Sequence, residues 1–455
     1  IDSEWKPRPG LFAIKNVYRN VHVKAVDLAK GTFSIKSWYD YSNLKDIVNG
    51  EWLIEENGQK IAGGSIADLN LEARTEKEIT IDMPEINSKA GAEYFITLRF
   101  TAKKSYSTLV KAGHELAYAQ FKLPVQKAAT SVASKSLEHF SVDQNDSSVT
   151  IKGTDFSVAF DKVNGTMTSY LYKGKILIKK GPKLDLWRAF TDNDNIPTNK
   201  GTYNKIWRDA VKKQKVSNVQ VEKISANILR LTLKSILPSV NAAYSTVYTV
   251  YGNGEIDIDI CLDKSQTPAK FKNPHRMGCE LLIAAEFNNI TWYGRGPNPT
   301  YIDRKFERIG LFSGTVDDQW LEYARPQENG NKVDVRWVSL TDKNGHGLLF
   351  AAEEQLLSVG AKHYSKETIE ASDYSFKMKR SEDIFLNIDH KQLGVGGNDS
   401  WGATALKPYQ LRKKTYQYSF HIRPLNGDVQ EALNSLVKAE TVKFDKLSKN
   451  LLPKK

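Results

Sequence analysis

Cysteine is nearly absent from this chain. The 455 residues contain two, Cys261 and Cys279. Both fall in or beside strand-like runs, and their spacing matches no metal motif. A disulfide framework is excluded for a chain this long, so both are expected free and buried. No run of 18 or more apolar residues occurs, so no membrane span is expected. No signal peptide is visible. The chain opens Ile-Asp-Ser without an initiator Met, so processing or excision from something larger is expected. The eight histidines show no pair at metal-ligand spacing. A nucleophile elbow, a P-loop and a dinucleotide fingerprint are also missing. These absences leave cytoplasmic and periplasmic locations equally open.

Charge of one sign is in excess, at +12. Such a balance raises nucleic-acid binding. The lysines are nevertheless spread along the whole chain. Only short pairs occur, such as Lys179-Lys180, Lys212-Lys213 and Lys413-Lys414. No helix-turn-helix or RNA-binding signature accompanies them. A solvated surface accounts for the charge, with neither nucleic acid nor membrane as partner.

Strand signals dominate. Thr, Val, Ile, Tyr and Phe alternate with charged residues over short runs bounded by Gly, Asn and Asp. Such runs cover 32–41, 51–55, 78–83, 94–101 and 114–123, and Asn57-Gly58 supplies a hairpin turn. Residues 22–124 therefore read as an immunoglobulin-like sandwich. Residues 125–137 lose periodicity and read as a linker. Strand signals then resume over 138–424, among them 147–153, 157–161, 220–234, 243–251, 255–262, 280–286, 334–341 and 416–422. That is too many for one small sandwich and predicts a large two-sheet antiparallel domain. Two helices are expected at the ends. One covers 11–21 behind Pro9, and the other covers 428–439 with Asp428 as N-cap. The fold class is all-β with short terminal helices.

Four segments could carry chemistry. Residues 394–402 read Gly-Val-Gly-Gly-Asn-Asp-Ser-Trp-Gly. The glycines permit tight turns and close approach, Asn398 and Asp399 offer polar groups, and Trp401 offers a flat apolar face suited to a sugar ring. The alternative is a glycine-rich hairpin whose Trp is core. Residues 186–195 read Leu-Trp-Arg-Ala-Phe-Thr-Asp-Asn-Asp-Asn. Their Asp192, Asn193 and Asp194 suit either a hard cation or pairing with Arg188 and backbone amides. The second use is favoured. Residues 292–304 contain Trp-Tyr-Gly-Arg-Gly-Pro and Tyr-Ile-Asp-Arg, read as structural. Residues 325–331 hold Glu328, a candidate acid that lacks the second carboxylate glycoside hydrolysis needs.

In this order the segments resemble the C-terminal part of glycoside hydrolase family 2 β-galactosidases, over nearly the whole chain up to Pro424. Residues 7–18 resemble the last helix of that family's catalytic TIM barrel, with Ala13 where Glu is usual. Residues 113–118, Gly-His-Glu-Leu-Ala-Tyr, resemble the closing strand of the sandwich after it. Phe190 replaces Pro in the Trp-Arg-Ala-Pro-Thr-Asp-Asn-Asp motif, and Pro299 replaces Glu after Gly-Arg-Gly-Pro. Residues 326–330 and 394–401 match outright.

The resemblance implies a supersandwich, similar to galactose mutarotases, over 138–424, a barrel remnant over 1–21 and a helical tail over 425–455. It implies retaining hydrolysis of terminal β-galactosides by a pair of glutamates on the barrel. No Asn-Glu dipeptide, the family's acid/base signature, is present, so no catalytic residue is expected here. The family's magnesium and its sodium or potassium belong to the absent barrel, so no cofactor or metal is expected either. Trp401, Asp399 and Asn398 are implied to form the sugar-facing wall. Arg188, Asp192, Asn193, Asp194 and Asn195 would hold or begin a mobile loop over about 195–204. Partners would be the galactoside, the parent's N-terminal and barrel domains, and further copies in a homo-oligomer. A stand-alone carbohydrate-binding module and an aldose mutarotase using His275, His363 or His390 are the alternatives.

Overall fold

The computed structural model describes residues 5–127, 137–195, 202–271, 273–399, 401 and 403–436. Two compact units emerge, divided near residue 130, with Phe306–Leu311 grouped with the first.

The first unit is an immunoglobulin-like β-sandwich. Its three-stranded sheet joins Val21–Asp27, Thr32–Ser37 and Glu76–Thr80, and its four-stranded sheet has Val48–Glu56 and Tyr94–Ala102 at the centre. Alternation drives the inner residues together. Phe33, Ile35, Ile54, Tyr94, Ile96, Leu98 and Phe100 are all fully buried, each contributing about 1.5–3 kcal/mol of transfer energy. Asn57 and Gly58 both have positive φ, 49° and 82°, the backbone a two-residue hairpin turn requires. The helix spacing over 11–21 overshoots. The helix covers Pro9–Val17, and Val21 opens the first strand opposite Ser37. The chain leaves helical geometry there because Val21-His22-Val23 finds a strand partner.

The second unit is a supersandwich of two nine-stranded sheets whose pairings are antiparallel. The first sheet is centred on Lys175–Asp185, Arg276–Ile283 and Ile384–Gln392. The second is centred on Ala242–Tyr251, Ile256–Asp263 and Thr415–Asn426. Phe160, Tyr170, Ile178, Met277 and Leu281 from one sheet share a single core with Tyr248, Ile258, Phe420 and Ile422 from the other. Cys261 and Cys279 are free and buried, as their settings predict.

Residues 220–234 are not one strand. They divide into Lys215–Ser225 and Ile228–Leu237, because Ser225 Oγ and Asn227 bond each other and close a turn between them. The helix Thr202–Lys212 is also unforeseen. Trp207, Ala210 and Val211 are buried at helical spacing. The expected loop over 195–204 thus ends in a helix, and its residues 196–201 lie outside the described residues. At the C-terminus, Asp428 caps the helix Val429–Asn434 by accepting from the Gln430 and Glu431 amides. The helix stops at Asn434, with Ser435 as its C-cap, short of the 439 expected; the tail beyond 436 lies outside the described residues, as do 128–136 of the expected linker.

Candidate functional site

Within the second unit the four sequence segments converge on one cavity of about 340 Å³. Thr191, Asp192 and Asn193 line it, with Pro299, Tyr301 and Arg304, then Gln327, Glu328 and Asn329, and finally Val395 and Gly396. These four segments are widely separated in sequence, so the cavity is a product of the fold.

Arg188 organises the wall. It is fully buried, and its Nε and Nη2 each donate to Asp194 at 3.0 Å. Two further hydrogens, one on each Nη, go to the carbonyls of Leu393 (2.6 Å) and Gly394 (3.1 Å). One guanidinium therefore fixes both the 186–195 segment and the base of the glycine-rich loop. Burial favours the neutral acid, but the Arg188 charge, the hydrogen bonds from Arg188 and the Thr191 amide, and nearby His275 together outweigh it and hold Asp194 below the usual carboxylate range. Asp194 also accepts from the Thr191 amide. Asn193 adds a bond to the Val395 carbonyl at 2.8 Å.

Asp303 is the second anchor. Its carboxylate accepts from the Val395 and Gly396 amides at 3.0 and 2.9 Å. Gly394 is required by close approach, since a Cβ there would stand 2.3 Å from Asp303 Oδ2. Adjacent Asp303 and Arg304 both serve the site because the chain turns sharply, with Tyr301 and Arg304 bridging each other. The 292–304 segment therefore braces the glycine-rich loop as well as the sheet.

Above these anchors Asp399 Oδ1 accepts from the Trp401 amide (2.9 Å) and the Ala403 amide (3.1 Å), which sets the turn that carries Trp401. Trp401 is 84% exposed, so the core alternative does not hold. Asn398 is exposed on the same turn. Asn195 closes the short helical turn Asn193–Asn195.

Asp192 faces the cavity while bonded to a neighbouring segment. Its amide and carboxylate engage the Gln327 carboxamide reciprocally at 3.1 and 3.0 Å. With Asp194 on Arg188, Asp192 on Gln327 and Asn193 on Val395, the triplet serves protein groups, and a hard cation would have to displace them.

Glu328 does not fit the acid role. It is buried with Lys362 Nζ at 3.0 Å and Arg276 Nη2 at 3.2 Å. These cations outweigh burial and hold its carboxyl below the ordinary glutamate value, so it carries no proton to give at neutral pH. Arg276 also meets Asp185 at 2.9 Å and Asp389 at 3.2 Å. Burial pushes Asp389 up to about 8.

Tyr301 and Gln327 lie in two of the marked segments, but the sequence does not single them out as site residues. The Tyr301 hydroxyl is buried in the wall with no hydrogen-bond partner among the described residues. The Arg304 guanidinium stacks 5.4 Å from its ring. A buried hydroxyl left unpaired costs about 1–3 kcal/mol, so it is a ready contact for a polar ligand. No local pattern distinguishes it from a core Tyr. The three candidate histidines have separate surroundings. His275 lies 4.0 Å from Asp194, His363 bonds Asn288, and His390 stacks on Tyr418.

Sequence families match both units. The family described as Beta galactosidase small chain matches residues 152–422, and Beta-galactosidase, domain 4, matches 33–124. The chain belongs to the β-galactosidase small chain family. It is 33% identical over 422 residues to a β-galactosidase of Priestia megaterium, covering 92% of this chain and 40% of that protein. A β-galactosidase of Streptococcus thermophilus is 27% identical over 92% of this chain and 39% of its own length. The chain thus spans about 40% of the length of the curated relatives it matches first. The match is to their C-terminal part. Among solved structures, a galactose 1-epimerase from Lactobacillus acidophilus matches 64% of the chain at 10% identity, with a TM-score of 0.36.

Proposed function

We propose that this chain forms the non-catalytic wall of a β-galactoside site, with Trp401 as the stacking surface for the sugar. The observation that carries the reading is the 84% exposure of Trp401 on a loop fixed at its base by Arg188 and Asp303. An indole held in solvent on a rigid support is preorganised for a flat apolar sugar face. Tyr301, Asp192 and Asn193 offer polar contacts in the cavity that Val395 and Gly396 of the same loop also line. Parent domains would supply the pair of carboxylates that retaining hydrolysis requires roughly 5 Å apart, along with any cation. Glu328 and Asp192 do not make that pair, because both are engaged by protein partners. The isolated chain therefore does not hydrolyse galactosides.

Galactose and lactose titrations followed by Trp fluorescence, beside Trp401→Ala, test this reading. Weak saturable binding that the variant loses is expected. Equal signals in the two proteins would overturn it, as would galactoside hydrolysis by the pure chain.

A further inference from the structure

The second sheet carries a buried polar cluster that the galactoside reading leaves unused. In strand Ile256–Asp263, Ile256, Ile258 and Ile260 enter the core, so the alternate residues Asp257 and Asp259 project from the other face. Asp257 pairs with His421 across one strand boundary, and His421 pairs with Ala351 across the next. Glu353 follows directly after the strand His346–Ala352. Register alone thus brings Asp257, His421 and Glu353 together. One oxygen or nitrogen from each lies within 4.8 Å of the others. Asp257 is 1% and His421 3% exposed, so this is not a solvated acidic surface.

Two further oxygens point to a ligand. Thr249 stands directly opposite Asp257 in the neighbouring strand and so shares its face. It is fully buried, and its Oγ1 has no hydrogen-bond partner among the described residues. The same holds for the buried Oε1 of Glu353. The histidine is oriented from behind. Its Nε2 lies 2.8 Å from Glu255 Oε2, while its Nδ1 faces Asp257 Oδ1. A carboxylate behind one ring nitrogen fixes the tautomer and turns the other nitrogen toward a metal.

We infer that Asp257, Glu353 and His421, with the Thr249 hydroxyl, form a binding site for a divalent cation of the borderline class, Mn2+ or Zn2+. Two carboxylates, an imidazole and a hydroxyl are the mixed oxygen and nitrogen donors that such ions take, and no thiolate in the set favours a softer ion. On binding, the His421 Nδ1 lone pair and the carboxylate oxygens become ligands. The proton shared between Nδ1 and Asp257 leaves to solvent, while Nε2–H stays on Glu255. The ion would link three adjacent strands of one sheet, a structural role.

The test uses the whole chain, stripped with a chelator and titrated with Mn2+ by electron paramagnetic resonance and with Zn2+ by calorimetry. One ion per chain, proton release on binding and a higher Tm are expected. Glu353→Gln, at a half-buried position past the strand end, should keep the fold. It should weaken binding by more than the about 10- to 100-fold that second-sphere changes cost. Thr249→Val, nearly isosteric, should weaken it less. No binding up to about 1 mM would mean that the cluster holds only its proton. Equal binding by wild type and Glu353→Gln would place the ion elsewhere. Either result overturns the inference.

Discussion

Arg188 and Asp194 form a two-pronged ion pair, with both N–H···O distances at 3.0 Å, beneath the loop that carries Trp401. Both side chains are almost wholly buried. Removing one partner leaves the other charge without compensation in a place water does not reach. Arg188→Ala should therefore cost about 3–5 kcal/mol in urea unfolding. The double variant with Asp194→Ala should cost clearly less than the sum of the two single changes. An additive double variant would show that the pair is not the anchor described above.

Gly394→Ala tests the other anchor. The new methyl would meet Asp303 Oδ2 at 2.3 Å, and Asp303 cannot retreat without releasing the Val395 and Gly396 amides. Overpacking of this kind costs about 1–3 kcal/mol. Hydrogen exchange should locate the damage, with those two amides losing protection while the sheet centre at Cys279 and Leu281 keeps it. Uniform loss across the sheet would mean that the loop is not independently anchored.

Much of this architecture was legible because it rests on local rules. Alternation marked the strands, Asn57-Gly58 marked a hairpin, and the motif segments marked the cavity wall. What escaped depends on partners distant in sequence. Glu328 reads as an acid until Lys362 and Arg276 are seen beside it. Asp303 reads as part of a structural turn until the amides of 395 and 396 arrive. The run 220–234 reads as one strand because a turn closed by Ser225 and Asn227 leaves no Gly or Pro as a mark. Burial of Asp257 and His421 is equally invisible, since polar residues alternating with Ile look solvent-facing.

Acid should loosen the cavity wall in stages. Burial and the nearby Arg188 charge hold His275 down at about 4, against the partial pull of Asp194. The unfolded chain, with an ordinary histidine near 6.5, then binds more protons than the native one between those values. Stability from neutral His275 is complete above about pH 6.5 and is lost as pH falls toward 4, on the order of 3 kcal/mol. Asp194, held below its usual value, has the same sign but is lost lower, as pH falls below about 4. Burial holds His390 at about 4 as well, so the wild-type profile sums several groups. Tm measured from pH 7.5 to 4 should fall less steeply in His275→Gln than in wild type. Parallel profiles would remove His275 from the account.

Trp207 and Trp401 set the limits for aromatic truncation in this unit. Trp207 is fully buried on the helix Thr202–Lys212 and donates its indole N–H to the Phe271 carbonyl at 3.3 Å. Trp401 is 84% exposed. Trp207→Ala should cost about 3–5 kcal/mol through the cavity it leaves. Trp401→Ala should stay within about 0.5 kcal/mol of wild type, as surface changes do. The contrast matters because the two indoles look alike in sequence, each in a polar, glycine-containing neighbourhood. If Trp401→Ala lowered Tm as far as Trp207→Ala, the indole would be packed in solution. Loss of sugar binding in that variant would then report unfolding of the wall and not loss of a stacking surface. If the stability cost is negligible and sugar binding still disappears, the indole face itself is the contact.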